Sequence, residues 1–299
     1  MARALILLLA FVASSGAPSI RSGARLLVSP AEAQAGSSQS ESATVKPVSE
    51  VSPVRDDESH TEQQLLALAN QSRQQVGLPA LALDSGLSKA ALIHAQTMRQ
   101  ARQLSHQFDG EPPLPQRLAA VTHLQLDQEG ENVALDYDAE HGHEHLMLSP
   151  PHRANLLNAA FNVVGMGVVR SGDRLYIVQD FGHALPSYST VEAKGQIAAA
   201  LNQMRQQLHE GELPRIDLGN ADEAACSMAQ ADRLGTDPVQ KLAARYTVLT
   251  YTSLHPDMLP NEAYHAINSR NLRSFSVGLC YRRSETYPSG VYWIVLTLD

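Results

Sequence analysis

Residues 141–158 read HGHEHLMLSPPHRANLLN and place four histidines and a glutamate within twelve positions. Imidazole and carboxylate groups bind zinc and similar ions, and they also transfer protons. His141 and His145 are four residues apart, a spacing that puts two side chains on one face of a helix. The H-E-x-x-H pattern of zinc proteases is nevertheless absent. We therefore interpret His141, His143 and His145 as a polar helix face that meets solvent.

No nucleophile motif accompanies these histidines. The G-x-S-x-G pattern does not occur, and both cysteines, Cys226 and Cys280, lie far along the chain. Whether the protein is an enzyme stays uncertain at this stage. The sequence favours a protein that is not an enzyme, and we assign no catalytic residue.

The N-terminus has the pattern of an export signal. Arg3 precedes an apolar run at residues 4–13 that is too short to span a bilayer. A-x-A cleavage patterns end at Ala33 and Ala35. We predict a signal peptide over residues 1–35, with an uncleaved anchor as the alternative. No later segment has the length and hydrophobicity of a transmembrane helix, so a secreted or periplasmic protein is expected.

Composition and periodicity indicate the elements that must position the histidines. Residues 36–60 are rich in Ser, Glu and Pro, which is typical of a disordered linker. A capping-box pattern predicts a helix that begins at Thr61. Ser149 followed by proline predicts a further helix, with His152 in its first turn. Two β-rich runs around the turn at Ser171-Gly172-Asp173 then predict a hairpin.

Two blocks of sequence recur in the same order along the chain. Residues 69–86 are similar to residues 201–219, and residues 152–170 align without a gap to residues 265–283. Each block is weak alone, but their shared order indicates a repeated fold.

The predicted organisation is therefore a tandem of two copies of one domain. The first copy covers residues 61–184, a short linker covers residues 185–190, and a degenerate second copy covers residues 191–299.

The blocks of the first copy resemble the CAP superfamily in its bacterial secreted form. This family is also called SCP, or cysteine-rich secretory, antigen 5 and pathogenesis-related-1. The matching positions are residues 69–98, Ser105-His106, Gly130-Glu131-Asn132, 149–158, 164–168 and 176–182. The resemblance implies an α+β fold, an α-β-α sandwich, here in two tandem copies.

The resemblance also implies a cleft with two histidines and two acidic residues, which binds a divalent ion in many family members. By motif, the histidines are His106 and His152, and the first acid is Glu131. The second acid departs from the family pattern, because its position falls on Ser149. Glu144 lies about one helical turn upstream and is the candidate substitute.

The cleft of His106, Glu131 and His152 has two interpretations. Imidazoles and a carboxylate suit a divalent metal such as zinc, with positions left open for water. Alternatively, the three residues form a buried polar network in which Glu131 orients a histidine. In the second copy the alignment places Arg245 at the position of Glu131 and keeps only His265, so no metal is expected there.

Cys226 and Cys280 are the only cysteines of the chain, and we predict a disulfide between them. Export supplies the oxidising setting. In the internal alignment Cys280 replaces Gly167, a glycine consistent with a helix packed close to its strand. Two buried free cysteines are the alternative.

Together these patterns predict an exported CAP/SCP-domain protein that acts as a non-catalytic binding module at the cell envelope or outside the cell. Its partner is expected to be an envelope lipid, glycan or protein that the sequence does not name. The net charge of −8 without a Lys/Arg cluster argues against nucleic acid. The alternative function is a metal-dependent hydrolase that uses His106, Glu131 and His152.

Overall fold

A computed structural model describes the backbone of residues 6–9 and 53–299 and the side chains from residue 57 onward. The rest of the predicted signal peptide and the linker up to residue 52 lie outside the described residues. Ile6–Leu9, within the predicted signal peptide, form a short strand, β1. None of the helices in the described ranges is long and apolar enough to cross a membrane.

Residues 53–184, here called the N-terminal unit, contain helices on both faces of one sheet. Its elements are α1 (Pro53–Gln75), β2 (Ala82–Leu83), α2 (Ser85–Ala101), α3 (Leu114–Ala119), β3 (Leu126–Asp136), α4 (Ala139–Leu148), α5 (Pro150–Leu156), β4 (Val163–Ser171) and β5 (Arg174–Ala184). The sheet order is β2-β4-β5-β3. The predicted hairpin is confirmed as β4 and β5, which pair antiparallel up to Ser171 and Arg174.

Close packing fixes the helix that lies beneath the cleft. Helix α2 crosses β4 at Gly165 and Gly167, where an added Cβ would overlap the backbone of Leu87 and Ala91. Asp84 caps this helix by accepting a hydrogen bond from the Leu87 amide. The opposite face of the sheet packs on α1, α4 and α5 through a separate apolar cluster.

The predicted start of the first helix is wrong by eight residues, because α1 begins at Pro53 rather than at Thr61. Thr61 lies inside the helix, and its hydroxyl donates to the carbonyl of Asp57. Acidic side chains hold the extra turns against the sheet. The Arg170 guanidinium bonds Asp57, and the Arg170 amide donates to Glu58.

Residues 190–299, here called the C-terminal unit, build a second sheet. Its elements are α6 (Thr190–Gln207), α7 (Gly219–Gln230), a 3-10 turn (Asp237–Val239), α8 (Gln240–Ala243), β6 (Thr247–Ser253), α9 (Ala263–Ile267), β7 (Phe275–Arg282) and β8 (Val291–Leu298). The sheet order is β1-β6-β8-β7. The central strand β8 lies between β6 and β7, as β5 lies between β3 and β4. The predicted α+β class is confirmed.

One arginine in each unit ties its first helix to a distant loop. Arg73 on α1 donates to the carbonyls of Pro79, Leu156, Asn158 and Phe161. Arg205 on α6 donates to the carbonyls of Gly211, Ile267 and Ser269. Both guanidinium groups are buried, so these bonds satisfy backbone groups that would otherwise be orphaned.

The predicted disulfide is confirmed. Cys226 on α7 bonds Cys280 on β7, and their Cα atoms are 5.0 Å apart. The bond therefore joins the helix that covers the second sheet to a strand of that sheet.

Candidate functional site

The structure brings His106, Glu131 and His152 into one cleft of the N-terminal unit. His106 lies in the loop after α2, Glu131 on β3, and His152 in the first turn of α5. The Nδ1 atom of His106 is 2.9 Å from Oε1 of Glu131. The ring centroids of His106 and His152 are 6.2 Å apart. The two imidazoles therefore flank one space, with the carboxylate beside it.

An arginine occupies the second oxygen of this carboxylate. Arg117 on α3 donates through Nη2 to Oε2 of Glu131 at 2.7 Å, and its Nη1 is 3.3 Å from Oε1 of Glu111. The side chains of Arg117 and Glu131 are only 8% and 4% exposed, so the pair is shielded from water. Arg117 thus supplies a fixed positive charge in the floor of the cleft.

A fully buried histidine joins the same cluster from α2. The Nδ1 atom of His94 is 2.7 Å from Oε1 of Glu111, and its Nε2 atom is 2.8 Å from the carbonyl oxygen of Ser105. Both ring nitrogens face acceptors.

A second carboxyl group lies directly opposite Glu131 on the neighbouring strand. Asp180 on β5 pairs in register with Glu131 and is 1% exposed. Burial, and then the negative charge of Glu131, raise the pKa of Asp180 well above its ordinary value. The same burial and the same neighbouring charge favour the neutral, protonated form of Asp180 over its carboxylate.

The second histidine of the cleft is positioned by an amide network. Asn132 donates to the carbonyl of His152, and Asn155 donates to Oδ1 of Asn132 and to the carbonyl of Glu131. These bonds lock α5 onto β3. Burial, and then the neighbouring His106, lower the pKa of His152. This imidazole is therefore neutral at neutral pH.

The side chains as arranged do not fit a divalent metal. Both oxygens of Glu131 are engaged, one by His106 and the other by Arg117. Glu144, the candidate second acid, is exposed on α4. Among the described residues, no group of three or more His, Cys, Asp or Glu side chains is arranged to hold a metal ion. His106, Glu131 and Arg117 are joined by hydrogen bonds, and in this group His106 remains 57% exposed.

The histidine-rich helix α4 meets solvent only in part, as predicted for two of its three histidines. His141 and His145 are exposed, and they pair with Asp138 and Asp136 at 2.8 and 2.6 Å. The prediction is wrong for His143, which is buried and lies 2.8 Å from the Ser72 hydroxyl on α1. The apolar face of α4 includes this position, because α4 packs against α1.

The C-terminal unit has no counterpart of the acidic pair. Gly165 pairs with Asp180, and Gly278, which packs on α7 in the same way, pairs with Val295. Val295 in turn lies opposite Thr250. Counted from the packed glycine, Thr250 therefore holds the register position that Glu131 holds in the N-terminal unit, whereas the sequence alignment placed Arg245 there. Strand register, which the weak similarity did not resolve, decides this assignment.

Sequence reasoning missed Glu111, Arg117 and Asp180. Asp180 gave one usable signal, since it is the acid in a strand, LYIVQDF, that is apolar apart from it and Gln179. Glu111 and Arg117 lie in a proline-rich stretch without periodicity, where the sequence offers no sign of which side chains point inward.

Comparisons with known proteins find matches to the N-terminal unit. Residues 66–181 match the family model described as CAP, the cysteine-rich secretory protein family. Two Bacillus subtilis (strain 168) proteins are similar. The uncharacterized membrane protein YlbC is 34% identical over 122 residues, covering 40% of this chain and 34% of its own length. The uncharacterized protein YkwD is 32% identical over 114 residues, covering 37% and 43%.

Among solved structures, an extracellular protein containing a SCP domain from Bacillus anthracis str. Ames is 27% identical. The likeness covers 46% of this chain and 45% of that chain, with a TM-score of 0.41. The matches thus span less than half of each of these three relatives. Residues 66–181 are a CAP/SCP family domain.

Proposed function

We propose that the protein is an exported, non-catalytic binding module that acts at the cell envelope or outside the cell and holds its ligand at the cleft of the N-terminal unit. One observation carries this proposal. The charges in the cleft floor are paired with one another, while the His106 side chain is 57% exposed beside half-buried His152. The groups that face a ligand are therefore two imidazoles rather than an activated nucleophile.

Two further features support export. The N-terminal sequence has the pattern of a signal peptide, and the disulfide between Cys226 and Cys280 is typical of oxidising compartments. An envelope lipid, glycan or protein is the expected ligand class. N-terminal sequencing of the exported protein should find a start just after Ala33 or Ala35, and an intact Met1 would contradict export with cleavage.

We also infer that the C-terminal unit is a degenerate copy of the N-terminal one. The order of strands and helices supports this, and so do local contacts. Asn70 exchanges two hydrogen bonds with Leu81, and Asn202 exchanges two with Leu213, each across eleven residues.

The binding proposal is tested with a pull-down from native envelope membranes, analysed for both lipids and proteins. The bait is the full chain, compared with the double variant His106→Ala/His152→Ala and with the control His141→Ala. Specific material should be retained by the wild type and the control and lost by the double variant. Equal retention by all three would place binding elsewhere and contradict the proposal.

A zinc titration addresses the alternative, a metal-dependent hydrolase. Stoichiometric zinc binding that disappears in Glu131→Gln, together with a hydrolytic activity that the same variant loses while staying folded, would favour the hydrolase. We expect weak zinc binding, since an ion must displace Arg117 from Glu131.

A further inference from the structure

The two units meet where the short helix α3 of the N-terminal unit ends. Arg283, directly after β7, reaches across and donates through Nη1 to the carbonyls of Ala119 and Thr122 at 2.9 and 2.7 Å. Its Nη2 donates to the carbonyl of Leu124 at 3.0 Å. One guanidinium group therefore binds three backbone oxygens of the other unit.

These carbonyl oxygens are natural partners for a cation. The last carbonyls of a helix have no partner within it, and they carry the negative end of the helix dipole. Within the N-terminal unit, the backbone bonds at the end of α3 go to Gln116 and Leu118, which leaves the carbonyl of Ala119 to Arg283. Arg283, from the other unit, thus donates a hydrogen bond to a carbonyl at the C-terminal end of α3.

Helix α3 depends on such external contacts. It has six residues and no side-chain cap at its N-terminus. A helix this short is not stable by itself. Its own unit holds it through buried Leu118 and through Thr122, which bonds the Asp84 carboxylate and packs on Gly86.

The same helix carries the arginine of the cleft. Arg117 lies two residues before Ala119 and bonds Glu131, Glu111 and the carbonyl of His106. A shift of α3 therefore moves the positive charge that pairs with Glu131, and with it the partner of the His106 imidazole.

We propose that Arg283 is a positioning residue through which the C-terminal unit supports the cleft of the N-terminal unit. By holding the end of α3, it keeps Arg117 against Glu131. The C-terminal unit thus contributes to the cleft through Arg283, whose contact with α3 lies about one helical turn from Arg117. The inference concerns the cleft's geometry and holds whichever ligand the cleft binds.

Two other contacts join the units away from α3, and the first of them provides a matched control. His255 is 3.6 Å from the Asp127 carboxylate, and Gln125 donates to the carbonyl of Gly290 at 3.3 Å. Neither contact touches α3. His255→Ala therefore weakens the interface without releasing the helix. Arg282→Ala removes a neighbouring exposed arginine.

The experiment compares the full chain carrying Arg283→Ala with these two controls. Hydrogen exchange is followed at the amides of Ala120, Val121 and Thr122, which bond back into α3. Imidazole NMR signals of His106 report the cleft. Fluorescence of Trp293, the single tryptophan, reports folding of the C-terminal unit, where it is buried.

In Arg283→Ala we expect exchange at these amides to be about tenfold faster, as for a segment released from the global fold. The His106 signals should shift in the direction seen in Arg117→Ala, and both controls should resemble the wild type. Unchanged exchange and unchanged His106 signals, with Trp293 still buried, would overturn the proposal, and so would equal effects in His255→Ala. If Arg283→Ala does not fold, Arg283→Lys is measured against the same criteria, since a single ammonium group cannot reproduce the three bonds.

Discussion

The two sheets of this protein differ at one pair of facing positions, on β3 and β5 in the N-terminal unit and on β6 and β8 in the C-terminal unit. In the N-terminal unit, Glu131 and Asp180 face each other beneath the cleft, whereas Thr250 and Val295 face each other in the C-terminal unit. Arg117 compensates the charge of Glu131 in this buried acidic pair, and the pKa of Asp180 is raised. The neutral pair lies in a layer dominated by alanine and other apolar residues and by Trp293. Three antiparallel strands in the same order, β3-β5-β4 and β6-β8-β7, therefore hold an acidic pair in one unit and a neutral pair in the other, and a few inward side chains decide the difference.

Removing the disulfide should produce the largest difference in stability between the two units. The bond spans 54 residues, and its loss should destabilise the C-terminal unit by about 4 kcal/mol in the chain-entropy model. Cys226→Ala/Cys280→Ala should shift the denaturant midpoint of Trp293 fluorescence. The exchange of amides in β5 should change little. Equal loss of both signals would mean that the units unfold as one.

The buried arginines make a symmetric test. Arg205→Ala leaves several buried carbonyls without donors and should destabilise the C-terminal unit by about 3 kcal/mol, read from Trp293. Arg73→Ala should have a similar cost in the N-terminal unit, read from hydrogen exchange in β5. If either variant affected only the opposite unit, the parallel between Arg73 and Arg205 would be broken.

Asp180→Asn tests the cost of the polar centre. The pKa of Asp180 is raised in the folded protein, so its contribution to stability is complete below pH 4 and declines as the pH rises toward the folded pKa. Asparagine does not ionise, so it never places a second negative charge beside Glu131. We expect a gain on the order of 1 kcal/mol at pH 8 and less at pH 4, measured by urea unfolding. A larger gain at pH 4 would contradict the raised pKa of Asp180.

The smallest effect is expected from the histidines of α4. Burial lowers the pKa of His143, so its contribution is complete above pH 6.5 and is lost as the pH falls below that value. His143→Gln should reduce the loss of stability between pH 7 and pH 5. Asp138 instead raises the pKa of exposed His141, so the pH dependence of its contribution to stability has the opposite sign. His141→Gln is therefore the control, and it should not reduce the acid sensitivity.

Much of the fold was accessible from sequence because apolar spacing and turn residues are local signals. The start of α5 after Ser149 and the hairpin around Gly172 were predicted from such patterns. The disulfide was predicted from the number of cysteines together with the predicted export. The convergence of His106, Glu131 and His152 was available only through the family resemblance, since these residues are far apart in the chain.

What the sequence did not provide depends on contacts between distant segments. The start of α1 is set by the contact of Asp57 and Glu58 with Arg170, which no local pattern records. The role of Arg117 depends on the direction of a short helix. Its support by Arg283 depends on how two units meet.

The place of β5 and β8 in their sheets constrains the order of folding. Each is the last strand of its unit in the chain and the central strand among its antiparallel partners. Strand β3 pairs antiparallel only with β5, and strand β6 pairs antiparallel only with β8. Neither strand therefore has an antiparallel neighbour until the last strand of its unit emerges. During synthesis or translocation each unit must stay open until nearly all of its residues are available, and premature collapse is limited by this topology.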